Sequence, residues 1–126
     1  MSRFIIAIVI FTVIIAGSIG SVLYVCKTEE KLQTHLDSII EAVSTNDMQL
    51  AEELSQDFVD KWDKAEPFFI TLIRHHNVDE ITKYSARLTT YCKYGHKSEA
   101  VAEVNMIKTI LKHMSDDEKP KLHNLF

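Results

Sequence analysis

Residues 4 to 25 are 22 consecutive positions without a charged side chain, preceded by Arg3 and followed, after Cys26, by Lys27. Wound as a helix at ~1.5 Å per residue they reach about 33 Å, enough to cross a hydrocarbon core of about 30 Å. Fourteen of the 22 are Ile, Val, Leu or Phe. Together these favour insertion by roughly 4 to 8 kcal/mol, from which Thr12, Ser18 and Ser21 subtract a little. The stretch predicts a transmembrane anchor over residues 1–27, with the lipid bilayer contacted by residues 4–25, and leaves residues 28–126 for a soluble domain.

Two other fates of such a segment follow from its chemistry. Ser2 and Arg3 make a short basic start and residues 16 to 21 are mostly small, so cleavage as a signal peptide would release a secreted helical domain. The apolar run resumes at Val22, Leu23, Tyr24 and Val25, which suits an uncleaved anchor better. Acylation at Cys26 is disfavoured, because Val25 stands where a small residue is needed. Arg3 and the α-amine on one side face Lys27 and Lys31 on the other, so charge orients the span weakly. A three-residue tail is easily left inside, which favours a cytoplasmic N-terminus and an extracytoplasmic domain at the cell membrane.

From residue 27 onward, 13 Lys and Arg stand against 18 Asp and Glu, a formal net charge of −5. A protein that gains affinity by neutralising phosphates needs a basic face, and no basic run exceeds two residues, so nucleic acid is not an expected partner. An acidic domain is also repelled by anionic headgroups, which leaves the anchor to hold it at the bilayer.

The soluble part reads as helix throughout, since between residues 28 and 119 there is one Gly and one Pro and apolar residues recur every three or four positions. Leu32, Leu36, Ile39 with Ile40, and Val43 form a first stripe. Ala51, Leu54, Phe58, Trp62, Ala65, Phe69 and Leu72 with Ile73 form a second. Val78, Ile81, Tyr84, Leu88 and Tyr91 make a third; Val101, Val104, Ile107, Leu111 and Met114 a fourth. Each stripe buries one side and wets the other. The spacing predicts an all-α fold, an N-terminal transmembrane helix followed by an antiparallel bundle of about four helices, the first of which can continue straight from the anchor.

Punctuation between the stripes supports this count. Asn46 with Gln49 is expected to cap the second helix and Asn77 with Glu80 the third. Gly95 is expected to end the third helix in the left-handed conformation, and Ser115 with Glu118 to open a short final turn. Pro67 should kink or split the second helix near Glu66. A shift of 49 residues superposes Ala51 on Ala100, Phe58 on Ile107 and Trp62 on Leu111; because 49 is seven heptads, helical phase alone explains the match, with a helical-hairpin repeat as the minority reading.

Few residues suggest chemistry. The six histidines are His35, His75, His76, His96, His113 and His123. His75, His76 and Asp79, with His113, are the candidates for metal. The Glu-x-x-His pairs of two-metal bundles are missing, so the expected assignment is no metal and no cofactor, with solvated or capping histidines. Cys26 and Cys92 are expected to stay unpaired, Cys92 as a small packing residue. Arg87 and Glu103 each flank a core position and are expected to pair if their helices pack together, setting the register of a hairpin. Trp62, central in the second stripe, reads as a core anchor. No phosphate-binding Gly-rich loop, nucleophile elbow or His-Glu zinc motif occurs.

The anchor, then Trp62, then Leu-Ile-Arg-His-His-Asn-Val-Asp-Glu-Ile at 72 to 81, resembles the uncharacterised bacterial family called domain of unknown function 4363. The resemblance continues through Arg87-Leu88, Ala100-Val101-Ala102-Glu103, Ile110-Leu111-Lys112-His113-Met114 and Leu122-His123-Asn124-Leu125-Phe126, and so covers essentially the whole chain. In that family's pattern an acidic residue and an Ile stand where this chain has Asn77 and Val78, between His75 and Asp79. The resemblance implies small single-pass or secreted helical proteins of spore-forming Gram-positive lineages, and implies no activity.

The expected function is therefore that of a non-enzymatic interaction or structural module, tethered to the membrane and contacting an unidentified envelope or membrane protein. A metal or small-ligand sensor built on His75, His76 and Asp79 is the alternative from another class.

Overall fold

The computed structural model describes residues 1–72 and 75–125, with the side chains of Leu72, His75 and residues 117–125 outside that description. Among the described residues there are four helices and no strand: α1 (Ser2–Ser44), α2 (Met48–Leu72), α3 (His75–Lys93) and α4 (Lys97–Leu125). Each helix packs on two others, α1 on α2 and α4, α3 on α2 and α4, so the four close into a ring. The apolar N-terminal segment and the first bundle helix are one element of 43 residues.

That element has two parts with different surroundings. Its first part is bare: Phe4, Ile5, Ile6, Phe11 and Ile14 are all exposed. Cover begins at Ile15, Ser18 and Ile19, which are half-buried, and becomes complete at Val22 and Val25. From there Leu32, Leu36, Ile39, Ala42 and Val43 keep the helical period of a core face.

The core follows the stripes read from the sequence. Trp62, Phe58 and Phe69 of α2 are its largest fully buried side chains, joined by Ile81 and Leu88 of α3 and Ile107, Leu111 and Met114 of α4. Burying each phenylalanine contributes roughly 1.5 to 3 kcal/mol. The Trp62 and Phe69 rings lie 5.3 Å apart. The indole N–H of Trp62 donates to Thr82 Oγ1 at 2.9 Å, so the one polar atom of this side chain is satisfied across the α2–α3 interface. Ile73 of the second stripe lies outside the described residues, as does the side chain of Leu72.

The turns differ from expectation in instructive ways. After α1, Asn46 adopts φ 65. Asn46 N–H donates to Val43 O and Asp47 N–H to Ala42 O, the paired bonds of a Schellman ending. The chain therefore spends Asn46 on closing α1, and Asp47 caps α2 instead, its Oδ1 accepting from Leu50 N–H at 3.1 Å. After α3 the pattern repeats with Gly95 at φ 74, Gly95 N–H to Cys92 O and His96 N–H to Tyr91 O. Gly95 thus takes the left-handed conformation expected of it.

Three other expectations need correction. Asn77 does not cap α3, which already starts at His75; Glu80 pairs with His76 one turn earlier. Pro67 does not split α2, which runs unbroken from Met48 to Leu72. No turn opens at Ser115 either. α4 passes through it, and Ser115 is buried with its hydroxyl 3.9 Å from Cys26 Sγ. A small hydroxyl fits a helix contact there, so its position on the inner face outweighed its capping preference.

Because both hairpins use the same turn, the 49-residue offset extends well beyond heptad phase. Leu32, Leu36, Ile39, Val43, Ala51, Ser55, Phe58, Trp62 and Ala65 fall on Ile81, Ser85, Leu88, Cys92, Ala100, Val104, Ile107, Leu111 and Met114, and all are buried.

Candidate functional site

The most developed polar cluster lies between α3 and α4. Arg87 Nη2 sits 2.9 Å from Glu103 Oε1, with Arg87 half exposed and the Glu103 side chain almost completely covered. One turn along α3 in each direction, Tyr84 and Tyr91 flank the guanidinium, whose carbon lies 5.8 and 6.0 Å from the two ring centres. Arg87 also donates to the Tyr91 hydroxyl at 3.4 Å. The Tyr91 hydroxyl and then the Glu103 carboxylate push the guanidinium further above its already high pKa, so its charge is permanent. Tyr91 in turn meets His96 edge to face at 6.1 Å.

The helical period explains the cluster. Tyr84, Arg87 and Tyr91 follow three and four residues apart and share one face of α3, beside the core residue Leu88. Glu103 occupies the neighbouring edge of α4, next to the buried Val104. Its second oxygen, Oε2, is buried and has no partner among the described residues. A shallow groove of about 280 Å³ runs past Ala86, Arg87, Thr90 and Tyr91. Arg87 is thus held from below by a carboxylate and from both sides by aromatic rings, with its outer edge in solvent. Such an arrangement suits recognition of a carboxylate or a planar polar group, since the guanidinium presents its donors in a fixed fork.

The metal candidates are arranged otherwise. His76 Nε2 is 3.1 Å from Glu80 Oε1 on the exposed face of α3's first turn. Asp79 is exposed on the same helix, and His113 is exposed on α4. The side chains of His75 and His123 lie outside the described residues. Among the described residues no three His, Cys, Asp or Glu side chains come together as metal ligands would. Cys26 and Cys92 are both free. Cys92 is buried in the core, and that burial pushes its thiol pKa up, opposed by a hydrogen bond with Ser55.

Some contacts had no signal in the sequence. Gln33 of α1 donates through Nε2 to the Lys108 carbonyl of α4 at 2.8 Å and to Glu29 Oε1 at 3.0 Å, while its Oε1 is buried without a partner among the described residues. Lys108 returns the contact by pairing its ammonium with Asp37. On the other side of α1, His35 Nε2 is 2.6 Å from the Leu54 carbonyl of α2 and His35 Nδ1 is 3.3 Å from Lys61 Nζ. The inter-helix partners among these stand 19 to 75 residues apart and leave no periodic trace that could have revealed them.

Taken together, these features define a closed ring of four helices, with one helix extended as a bare apolar rod and a caged arginine on the opposite hairpin. The chain belongs to the family described as domain of unknown function (DUF4363), whose model matches residues 19–125. No curated protein and no solved structure matches the chain.

Proposed function

We propose that this protein is a single-pass, membrane-tethered helical module that acts by contacting another protein of the envelope or membrane. The observation that carries the tether is the exposure of the leading apolar part of α1. Among the described residues, one helix is long and apolar enough to cross a membrane, with an 18-residue stretch of mean hydropathy 2.6 of which only 6% is buried. A core helix of the same composition would be covered by its neighbours; here the neighbours begin at Ile15. Retention of the leader is supported by the unbroken helix through residues 15 to 25 and by the burial of Val22 and Val25 in the bundle.

A continuous helix also transmits orientation. With no flexible linker between span and bundle, the domain holds a fixed attitude to the bilayer, as a spacer or docking module requires. The N-terminus stays in the cytoplasm and the bundle stands outside. Arg87, caged and half exposed, is the feature best suited to meet an acidic group on the partner.

The test is fractionation followed by intact-mass measurement. Full-length protein in the membrane pellet, resistant to carbonate and released by detergent, is the expected result. A mature species that lacks the leader and is found in the soluble fraction would overturn the tether. Photo-crosslinking from Arg87 and Thr90 in native membranes should then recover one reproducible protein partner, and recovery of lipid or abundant bystanders alone would overturn the docking role.

A further inference from the structure

The soluble part of the chain is acidic, yet one groove gathers cations from two helices. It lies between α1 and α2, encloses about 640 Å³, and is lined by Lys27, Lys31 and Lys61 together with Thr34, His35 and Ser38. Among the described residues that line it, the one carboxylate is Glu30. Lys27 and Lys31 are four residues apart on one face of α1, where like charges repel and destabilise the helix unless something neutralises them. Lys61 adds a third ammonium from α2.

Lys61 is also held in place. The Leu54 carbonyl can only accept, so His35 Nε2 carries the hydrogen in that 2.6 Å contact. An ammonium can only donate, so His35 Nδ1 accepts from Lys61 Nζ at 3.3 Å. His35 is therefore fixed as one tautomer between the two, and Lys61 keeps two N–H groups for a ligand. The hydroxyls of Thr34 and Ser38 already donate to the carbonyls of Glu30 and Thr34. The free donors of the groove are thus ammonium groups, and a ligand that satisfies them must be an oxyanion.

We infer that the α1–α2 groove is a binding site for a phosphate-type oxyanion, seated between Lys27, Lys31 and Lys61 with His35 as the residue that positions Lys61. Two sources supply that chemistry, the phosphate of an anionic lipid headgroup and a soluble phosphate compound. The lipid source rests on the tether proposed above, because Lys27 lies just past the uncharged stretch and Lys31 follows one turn, about 5–6 Å, further out. A headgroup phosphate at the bilayer surface is within reach of both. Lysines 27, 31 and 61 are separated in sequence by up to 34 residues, which is why no basic run marks the site.

The experiment uses the full chain, isotope-labelled, in phosphatidylcholine nanodiscs, with the imidazole signals of His35 as the readout. Pyrophosphate is titrated against sodium chloride of matched ionic strength. Saturable movement of the His35 signals beyond the salt effect is expected, and Lys61→Gln should weaken it about tenfold, the loss of one charge-assisted contact. Lys93→Gln, far from the groove, should leave it unchanged. Discs doped with phosphatidylglycerol then separate the sources: competition with pyrophosphate assigns the site to lipid, and undiminished pyrophosphate binding assigns it to a soluble compound. His35 signals that respond to neither beyond the salt control, or an equal effect of Lys93→Gln, would overturn the site. A chain that elutes free of the discs would fail the tether alone, and the pyrophosphate titration in buffer would still decide the groove.

Discussion

Glu103 reaches from α4 to place one carboxylate oxygen 2.9 Å from the guanidinium of Arg87 on α3, while its other oxygen is buried with no partner among the described residues. The two residues contribute unequally. Arg87 is half exposed and can be solvated without its partner; Glu103 is covered and cannot. Arg87→Met should therefore lower the melting temperature by several degrees, since it strands a carboxylate in the interior. Arg87→Met combined with Glu103→Leu should recover most of that loss, because replacing both partners by apolar groups removes the unpaired charge. Thermal unfolding in detergent followed by circular dichroism checks both. Equal loss in the single and double variants would mean that helix packing, not charge pairing, sets the effect.

The two Schellman turns make a second prediction from backbone geometry alone. Gly95 sits at φ 74 and Asn46 at φ 65, in the region that a Cβ disfavours. Among the described residues no atom beyond the two chain neighbours would lie within 4 Å of a Cβ at Gly95, so substitution there meets only backbone strain. Gly95→Ala should cost about 1 to 2 kcal/mol. Asn46→Gly should be neutral or slightly stabilising and Asn46→Ala destabilising by about 1 kcal/mol, the order of preference at a left-handed helix end. Chemical denaturation of the three variants gives the ranking.

These turns also show what the sequence could and could not convey. The apolar stripes were legible because burial needs only a repeat of three and four residues, and Leu32, Phe58, Trp62, Ile81 and Leu111 all point inward as that repeat requires. The caps were not. Asn46 and Asp47 are both good capping residues, and the choice between them depends on how α1 ends. Once Asn46 is used for its left-handed backbone, Asp47 is the residue left at the start of α2. The Arg87–Glu103 contact was legible because each sits beside a core position on adjacent helices. The groove of Lys27, Lys31 and Lys61 was not, because it depends on the register of α1 against α2, which the His35–Leu54 contact reports only in three dimensions.

Trp62 and Thr82 form a hydrogen bond whose loss can be measured from either end. Trp62→Phe removes the donor and part of the core volume and should cost about 1 to 3 kcal/mol. Thr82→Val keeps the shape but strands the buried indole N–H, and should cost about 1 to 2 kcal/mol. The double variant should cost less than the sum, since the second change removes nothing already lost. Because Trp62 is the only tryptophan, its fluorescence reports the fold directly. Thr82→Val should shift its emission while leaving helicity intact. Strict additivity would show that the 2.9 Å contact contributes nothing in solution.

Cys92 supplies the pH dependence. Burial pushes its thiol pKa above the ordinary value of 9.0, with the Ser55 hydrogen bond opposing. Below that ordinary value the thiol is protonated in both folded and unfolded chains, and stability does not change on its account. As pH rises past it, the unfolded chain releases the proton while the folded one holds it, so stability falls. The fall continues until the raised folded value is passed and then levels off. Urea midpoints measured from pH 7 to pH 10.5 should therefore drop more steeply with Cys92 present than in Cys92→Ala, both in a Cys26→Ala background. In the same window native Cys92 should resist maleimide until denaturant opens the core, because the reactive thiolate is the species that burial disfavours. Parallel pH profiles for the two proteins, or rapid labelling of the native state, would place Cys92 nearer to water than its 1% exposure implies.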